Sequence, residues 1–304
     1  PPRSTPKPSS AASDVYKRQV LPNSFHRMFD ISIHDPVGNL YLVTDSHLDY
    51  DSAPYGEFID FLDSLNDVHT LICLGDLFKL WLADQRYWTH LHREVLKAFR
   101  RLSERSNNVI LVAGNREFLL PRNQEQLKKS ELPFSQVALG RGFLTWGSKR
   151  FGFEHGDQVN RDDKNYLRWY ALSHSQPFEI LFRCLPSLIA NKIAESLEAK
   201  MAQSNQAFKI HLPIKRLEEF AEASLKEVDE FFLGLFHERF EYSMRDSSKS
   251  LHIIPDWLST REYCRIDPQG RRTAVAGGQT GPNARPSASI RRSRSGCRWH
   301  LCSP

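Results

Sequence analysis

The stretch His69–Phe78, HTLICLGDLF, is an apolar run of strand length that breaks into glycine and aspartate at Gly75 and Asp76. Its apolar and β-branched residues suit a buried strand, and the glycine lets the backbone turn tightly where the run stops. The same event recurs along the chain. NLYLVT (39–44) runs into Asp45 and His47, NVILVA (108–113) into Gly114 and Asn115, RFGFE (150–154) into His155 and Asp157, and DEFFL (229–233) into Gly234 and His237. Each strand therefore delivers a carboxylate, amide or imidazole just past its last apolar residue. In α/β sheets the crevice beyond the carboxyl ends of the strands is where ligands bind.

Longer amphipathic segments fill the intervals. From Arg86 to Arg105, Leu91, Val95, Leu96, Phe99 and Leu102 recur at helical spacing and predict a helix with one buried face. Strands alternating with helices predict an α/β or layered α+β protein. A second helical block, from Asp163 to about Lys200, is longer than a crossover needs, with Leu185, Ile189, Ile193 and Leu197 at steps of four. It contains PFEILFRCLPSLI (177–189), nearly free of charge and broken at Pro186. Two readings stand: a helix packed on the core, or a cap over about 163–227 whose greasy edge admits a lipid or touches a membrane surface. SLHIIPDWLSTREYCRI (250–266) predicts a pair of strands broken around Pro255, with no chemistry assigned.

At 304 residues and 40% hydrophobic content the chain can bury a sizeable core, in one large domain or two ordinary ones. The formal charge of +5 invites a nucleic-acid reading until it is located. Residues 1–27 carry +4 and residues 271–304 carry +7, which leaves −6 on residues 28–270. A negative body argues against a basic nucleic-acid groove. Both tails are rich in Pro, Ser, Gly or Arg without apolar periodicity, so disordered or non-native tails are expected at 1–27 and 271–304, around a body of 28–270. No window reaches the roughly 18 to 20 apolar residues of a membrane span, and the N-terminus lacks the apolar core of a secretory signal. The expected compartment is the cytoplasm. Cys73, Cys184, Cys264, Cys297 and Cys302 show no CxxC pairing, so neither a disulfide framework nor a thiolate zinc site is implied.

Taken together, Asp45, His47, Asp76, Asn115, His155 and His237 mix hard oxygen donors with imidazoles and include no thiolate. That is ligand chemistry for Mn, Fe or Zn ions. Asp45 and His47, two apart in what reads as an extended segment, are expected to point to one side and grip one ion. Six groups exceed one ion's usual protein ligands at a catalytic site. Two ions sharing a carboxylate, about 3.5 to 4 Å apart, suit hydrolysis of a phosphorus ester.

In order along the chain these motifs resemble the calcineurin-like metallophosphoesterases, whose pattern is DxH, GDxxD, GNH(D/E), H and GHxH. The match runs from about Asn39 to Asp267. Within it LGDLFKLWLAD, GNREFLL and HGDQVNRDDKNYLR look like the UDP-2,3-diacylglucosamine pyrophosphohydrolases of lipid A synthesis. The resemblance implies an αββα sandwich with a helical cap insertion. It implies that Asp45, His47 and His237 hold a first ion, that Asp76 bridges, and that Asn115 and His155 hold a second, both usually manganese. It also implies in-line attack on the α-phosphorus of a UDP-linked diacylated glucosamine, giving UMP and a lipid monophosphate. Arg116, standing for the usual catalytic histidine, would neutralise phosphoryl charge, with Asp163 and Tyr166 as substrate contacts. Such an enzyme is expected to be peripheral to the inner membrane of a Gram-negative bacterium.

Four positions or stretches depart from the pattern. Lys79 stands where GDxxD has its second acid, Glu117 replaces the Asp of the lipid A enzymes' GNRDFLL, and ESLEAKMAQSNQAFK (195–209) lacks most of the Arg, Ser and Lys of those enzymes. Leu235 stands where GHxH has its first histidine, a ligand of the second ion. The expectation is a weakened second site and reduced activity.

Overall fold

The computed structural model describes residues 28–50, 55–186, 189, 192–193, 196, 212–276, 290–292 and 300–301. Its strands are β1 (Phe29–Ile33), β2 (Asn39–Val43), β3 (Val68–Cys73), β4 (Trp81–Leu82), β5 (Asn108–Val112), β6 (Glu117–Phe118), β7 (Gln136–Ala138), β8 (Gly142–Trp146), β9 (Lys149–Glu154), β10 (Glu230–Leu233), β11 (Phe240–Ser243), β12 (Ser250–Ile253), β13 (Glu262–Ile266), β14 (Arg272–Ala276), β15 (Ile290–Arg292) and β16 (His300–Leu301). The helices are α1 (Tyr55–Ser64), α2 (His90–Ser103), α3 (Gln124–Lys129), α4 (Lys164–Ser173), α5 (Gln176–Cys184), α6 (Ile214–Ser224) and α7 (Trp257–Thr260).

Every residue of β2 and β3 is buried, as befits parallel strands covered on both faces. They lie in a six-stranded sheet of order β14-β13-β2-β3-β5-β7, with β2, β3, β5 and β7 parallel and β13 antiparallel to β2. The second sheet has the order β1-β8-β9-β10-β12-β11-β15-β16, with β10 parallel to both neighbours.

Alternation along the strands assigns the layers. Tyr41, Val43, Leu71 and Leu111 face outward onto Phe58 and Leu62 of α1 and Val95 and Phe99 of α2. Leu40, Leu42, Ile72 and Ile110 face inward onto Leu144, Trp146, Phe151, Phe153 and Phe232 of the other sheet. Beyond that sheet, Leu217 and Ala221 of α6 cover Phe231, Leu233, Leu251 and Ile253. The result is helix, sheet, sheet, helix, the layered sandwich the sequence implied. The helix predicted within 86–105 is α2, and its five periodic residues are all buried.

Three boundaries differ from expectation. The body does not stop at 270: RTAVA forms β14, pairing Val275 with Tyr263 and Ala274 with Cys264 across an Asp-Pro-Gln-Gly turn. The turn closes with Gly270 N donating to Asp267 O at 2.9 Å, with Gly270 at φ 75°. Arginine-rich surroundings hid this short alternating strand. The expected cap of 163–227 divides, because α6 belongs to the sandwich, while α4 and α5 are the helices outside it among the described residues. Finally, 250–266 is strand, helix, strand, and its two strands lie in different sheets.

The helix α5 is seated firmly. Phe182 is buried among Leu82, Tyr87, Phe118 and Leu119. Tyr87 Oη donates to Phe182 O at 3.1 Å, Arg86 Nη1 to Arg183 O at 2.8 Å, and Arg122 Nε pairs with Glu179 Oε2 at 2.8 Å. The β4–β6 ribbon beneath it continues directly from Arg116. Leu172, Ile180, Leu181 and Ile189 remain exposed on the outside. Leu197 and residues 195, 197–209 of the charge-poor stretch lie outside the described residues.

Candidate metal centre

The carboxyl ends of β2, β3, β5, β9 and β10 converge, and backbone bonds lock their loops together. Asp45 N donates to Gly75 O at 3.1 Å, His47 N to Asp76 O at 2.9 Å, and Gly234 N to His155 O at 3.0 Å. Glycine is required at the closest approach. A Cβ on Gly114 would sit 2.3 Å from Asp76 Oδ1, and one on Gly234 would sit 2.1 Å from Thr44 Oγ1.

Two overlapping groups of donors result: Asp45, His47 and His237, and Asp45, Asp76 and His155. His47 Nε2 lies 3.6 Å from Asp45 Oδ1 and 3.8 Å from Asp76 Oδ2. His237 Nε2 lies 3.7 Å from Asp45 Oδ1, and the His47 and His237 rings stack at 5.5 Å. His155 Nε2 lies 3.5 Å from Asp76 Oδ1. Asp76 thus touches histidines of both groups, as a bridging carboxylate must. Asp45 and His47 reach one place by another route than expected, because both have left-handed backbone, φ 51° and 41°, rather than an extended segment.

Neighbouring groups aim these donors. Asp45 Oδ2 accepts from Thr44 Oγ1 and from Leu235 N at 2.8 Å, which leaves Oδ1 facing inward. His155 Nδ1 is 2.6 Å from Leu74 O, so Nδ1 carries a proton and Nε2 is the ring atom turned to the centre. His237 Nδ1 lies 3.6 Å from Asp256 Oδ1, while Asp256 Oδ2 caps α7 by accepting from Ser259 N at 2.8 Å. Arg116 is buried with Nε 3.9 Å from Asp76 Oδ2, and its backbone N donates to Asp76 Oδ1 at 3.0 Å.

The fit to a cation is tested by what remains unsatisfied. Asp45 Oδ1, Asn115 Oδ1, His155 Nε2 and Arg116 Nε are buried polar atoms without a hydrogen-bond partner. Buried polar atoms seldom stay orphaned, and the first three belong to residues expected as ligands. Asp45, Asp76, Glu117 and Asp157 are all buried here, a density of carboxylates that needs positive charge. The residues fit divalent cations bound by oxygen and nitrogen. Cys73 and Cys264 are buried in the hydrophobic clusters instead.

Charges in the cluster shift one another. Burial alone would raise the Asp45 carboxyl, but His155, His47 and His237 hold it well below the usual range. Burial works against a charged His155, yet Asp76, Asp45 and Asp157 raise it to about 9. Burial, with Asp76 beside it, pushes Glu117 up to about 7.

Of the expected substrate contacts, Tyr166 donates its hydroxyl to Asp157 Oδ2 at 2.7 Å, next to His155. Asp163 has a structural duty: it caps α4, with Oδ1 accepting from Tyr166 N at 2.9 Å. Lys79 pairs with Asp49 at 3.1 Å on the rim. The sequence reading missed Thr44, Glu117 and Asp256 as supports. Only Asp256 carried a local signal, as a helix N-cap before WLST.

Leu235 is held as a ligand-bearing residue would be. It has φ 65°, donates its N–H to Asp45, and lies inside a three-residue turn in which Phe236 N donates to Gly234 O at 2.8 Å. The turn is present, and its side chain has no donor atom.

Parallel strands ending in a buried cluster of carboxylate, amide and imidazole, inside a four-layer sandwich, define a metal-dependent hydrolase of the layered α/β class. A family model described as Calcineurin-like phosphoesterase matches residues 38–204. The chain belongs to that family of hydrolytic enzymes. It is 28% identical over 236 residues to UDP-2,3-diacylglucosamine hydrolase of Edwardsiella ictaluri, covering 75% of this chain and 88% of that one. It is 31% identical over 170 residues to the protein of the same name from Haemophilus influenzae, covering 55% and 69%. Among solved structures, Vacuolar Protein Sorting 29 from Cryptosporidium parvum aligns over 83% of this chain and 98% of its own at TM-score 0.41 and 15% identity, too distant to bear on function.

Proposed function

We propose that the chain hydrolyses the diphosphate of a UDP-linked diacylated glucosamine, releasing UMP and a lipid monophosphate. The observation that carries the reading is the trio of buried polar atoms without a hydrogen-bond partner, Asp45 Oδ1, Asn115 Oδ1 and His155 Nε2, beside the buried Arg116. The relatives from Edwardsiella ictaluri and Haemophilus influenzae carry the name UDP-2,3-diacylglucosamine hydrolase, which supports the substrate class. Asp45, His47, His237 and Asp76 would hold one ion, and Asp76, Asn115 and His155 the other, with manganese, the ion the family resemblance implies, compatible with the O/N donor set. When bound, such ions polarise a phosphoryl oxygen and lower the pKa of water.

The chain's own residues supply the rest. Arg116, held against Asp76 and fixed through the β4–β6 ribbon, presents a guanidinium where charge grows on the phosphoryl oxygens. Asp157 and Tyr166 form a polar wall next to His155, suited to sugar hydroxyls, and Asp163 fixes the helix that carries Tyr166. Ile180 and Leu181, 64% and 61% exposed on the firmly seated α5, supply an apolar edge for acyl chains at the cytoplasmic surface of a Gram-negative inner membrane.

Leu235 favours a second reading, a homologue of low turnover. One paired experiment separates the two: manganese content and hydrolysis of UDP-2,3-diacylglucosamine by this chain and by Leu235→His. Turnover by both supports the enzyme reading, and turnover only after repair supports the second. Hydrolysis of simple phosphodiesters but never of the nucleotide lipid would sink the substrate.

A further inference from the structure

The register of β3 with β5 ends at Cys73 opposite Leu111, yet the donors Asp76 and Asn115 lie beyond it. Something other than the sheet must hold the two loops at a fixed spacing. Glu117 is fully buried and reaches into that gap. Its Oε2 accepts from Asp76 N at 3.1 Å and from Gly114 N at 2.7 Å, and its Oε1 accepts from Leu77 N at 2.8 Å. Two of these amides belong to the loop after β3 and one to the loop after β5, so a single carboxylate ties both. A carboxylate is acceptor-only, and it alone offers both oxygens to three converging N–H groups.

The surroundings match this role. A Cβ at Gly75 would lie 2.6 Å from Gly114 Cα, so only glycines let the loops come close enough to share one side chain. Arg116 N to Asp76 Oδ1 crosses the same gap at 3.0 Å. Glu117 is itself anchored, because β6 pairs with β4 and Trp81 N donates to Arg116 O at 2.9 Å.

We infer that Glu117 is a positioning residue that sets the spacing between Asp76 and Asn115, and with it the donor set of one ion, without touching ion or substrate. The inference rests on the metal reading above. It does not extend to the ion of Asp45, His47 and His237, whose other loops Glu117 does not join.

The test uses the full chain and Glu117→Gln and Glu117→Asp. Gln turns one oxygen into an NH2 that faces an N–H, while Asp keeps the charge but retreats by one methylene. Amide hydrogen exchange is measured on the metal-free proteins, and manganese is titrated calorimetrically. Expected for Glu117→Gln is exchange about tenfold faster or more at Asp76, Leu77 and Gly114 with the remaining strands unchanged. One manganese should weaken by about tenfold or more while the other keeps its affinity within about twofold. Glu117→Asp should fall between. Unchanged exchange with two unchanged affinities would overturn the inference. So would equal weakening of both ions, or failure of both variants to fold, either of which makes Glu117 a residue of the fold at large. A parent chain that takes up no manganese would sink the metal reading itself, an arm independent of the variants.

Discussion

Leu235→His should convert an incomplete ion site into a complete one. The backbone cost is already met, since Leu235 sits at φ 65° and leucine tolerates that region no better than histidine. The turn depends on main-chain bonds, Leu235 N to Asp45 and Phe236 N to Gly234, which the substitution leaves alone. The Leu235 side chain is partly exposed, so a change of its shape is not opposed by a closed core. The lost apolar burial is roughly 1 kcal/mol. Against it stands a new imidazole ligand. Groups that merely support a ligand change metal affinity by about 10- to 100-fold, so a direct donor should reach about 100-fold, or about 3 kcal/mol. Calorimetric titration of manganese into both proteins should show one ion bound alike and the second bound about 100-fold more tightly by the variant. Hydrolysis of UDP-2,3-diacylglucosamine should rise with occupancy of the second site. Equal affinities for both ions in the two proteins would refute the reasoning, because Leu235 would then not mark a missing donor.

Asp256→Asn should keep α7, since Asn caps helices as well as Asp, but remove the charge beside His237 Nδ1. The ion held by His237 should bind about 10- to 100-fold more weakly with little change in melting temperature, and unchanged binding would remove Asp256 from the centre. Because His155 is raised to about 9 in the metal-free site, it is charged at pH 7 and must shed a proton to coordinate. Manganese affinity should therefore climb between pH 7 and about 9 and level off above. Titration heats at pH 7 should vary with the buffer's ionisation heat, and buffer-independent heats would contradict this. Burial lowers His92 to about 4, where its Nδ1 accepts from Thr89 N at 3.0 Å in the capping box of α2. A folded-state pKa below the unfolded 6.5 means that the unfolded chain binds the proton first, so stability is lost as pH falls from 6.5 towards 4, by up to about 3 kcal/mol. His92→Gln keeps the box and should flatten that slope in denaturant melts at pH 7 and pH 5. A slope identical to the parent's would place the pH dependence elsewhere.

The parts legible in the sequence were those that local chemistry fixes. β2, β3 and β5 are buried on both faces, so their apolar runs announced them, and α2 showed its buried stripe at helical spacing. The donor residues were legible as residue types at strand ends. What the sequence hid depends on contacts made far along the chain. RTAVA became a strand because EYCRI was there to pair with it, and α6 left the cap because Phe231 and Leu251 needed cover. Asp163, a substrate contact by resemblance, stands one residue before α4 and caps it, a role that its residue type alone does not separate from a ligand contact. Asp256 is 19 residues from His237, and only the path of β12 brings them together.

The backbone around the donors bears on Leu235. Among the described residues eight non-glycine residues have positive φ, and Asp45, His47, Asp76, Leu235 and His237 are five of them. Such conformations cost of order 1 to 3 kcal/mol each and persist only where the surroundings over-determine them. Here the surroundings are the chain's own: Gly75 O holds Asp45, Asp76 O holds His47, and Asp45 Oδ2 holds Leu235. The loops therefore take up their ligand-bearing geometry from hydrogen bonds within the protein, and position 235 carries that strain with the rest although leucine donates nothing to an ion. A change of side chain there alters the chemistry of a place already built, which is why a single substitution is expected to restore a site rather than to create one.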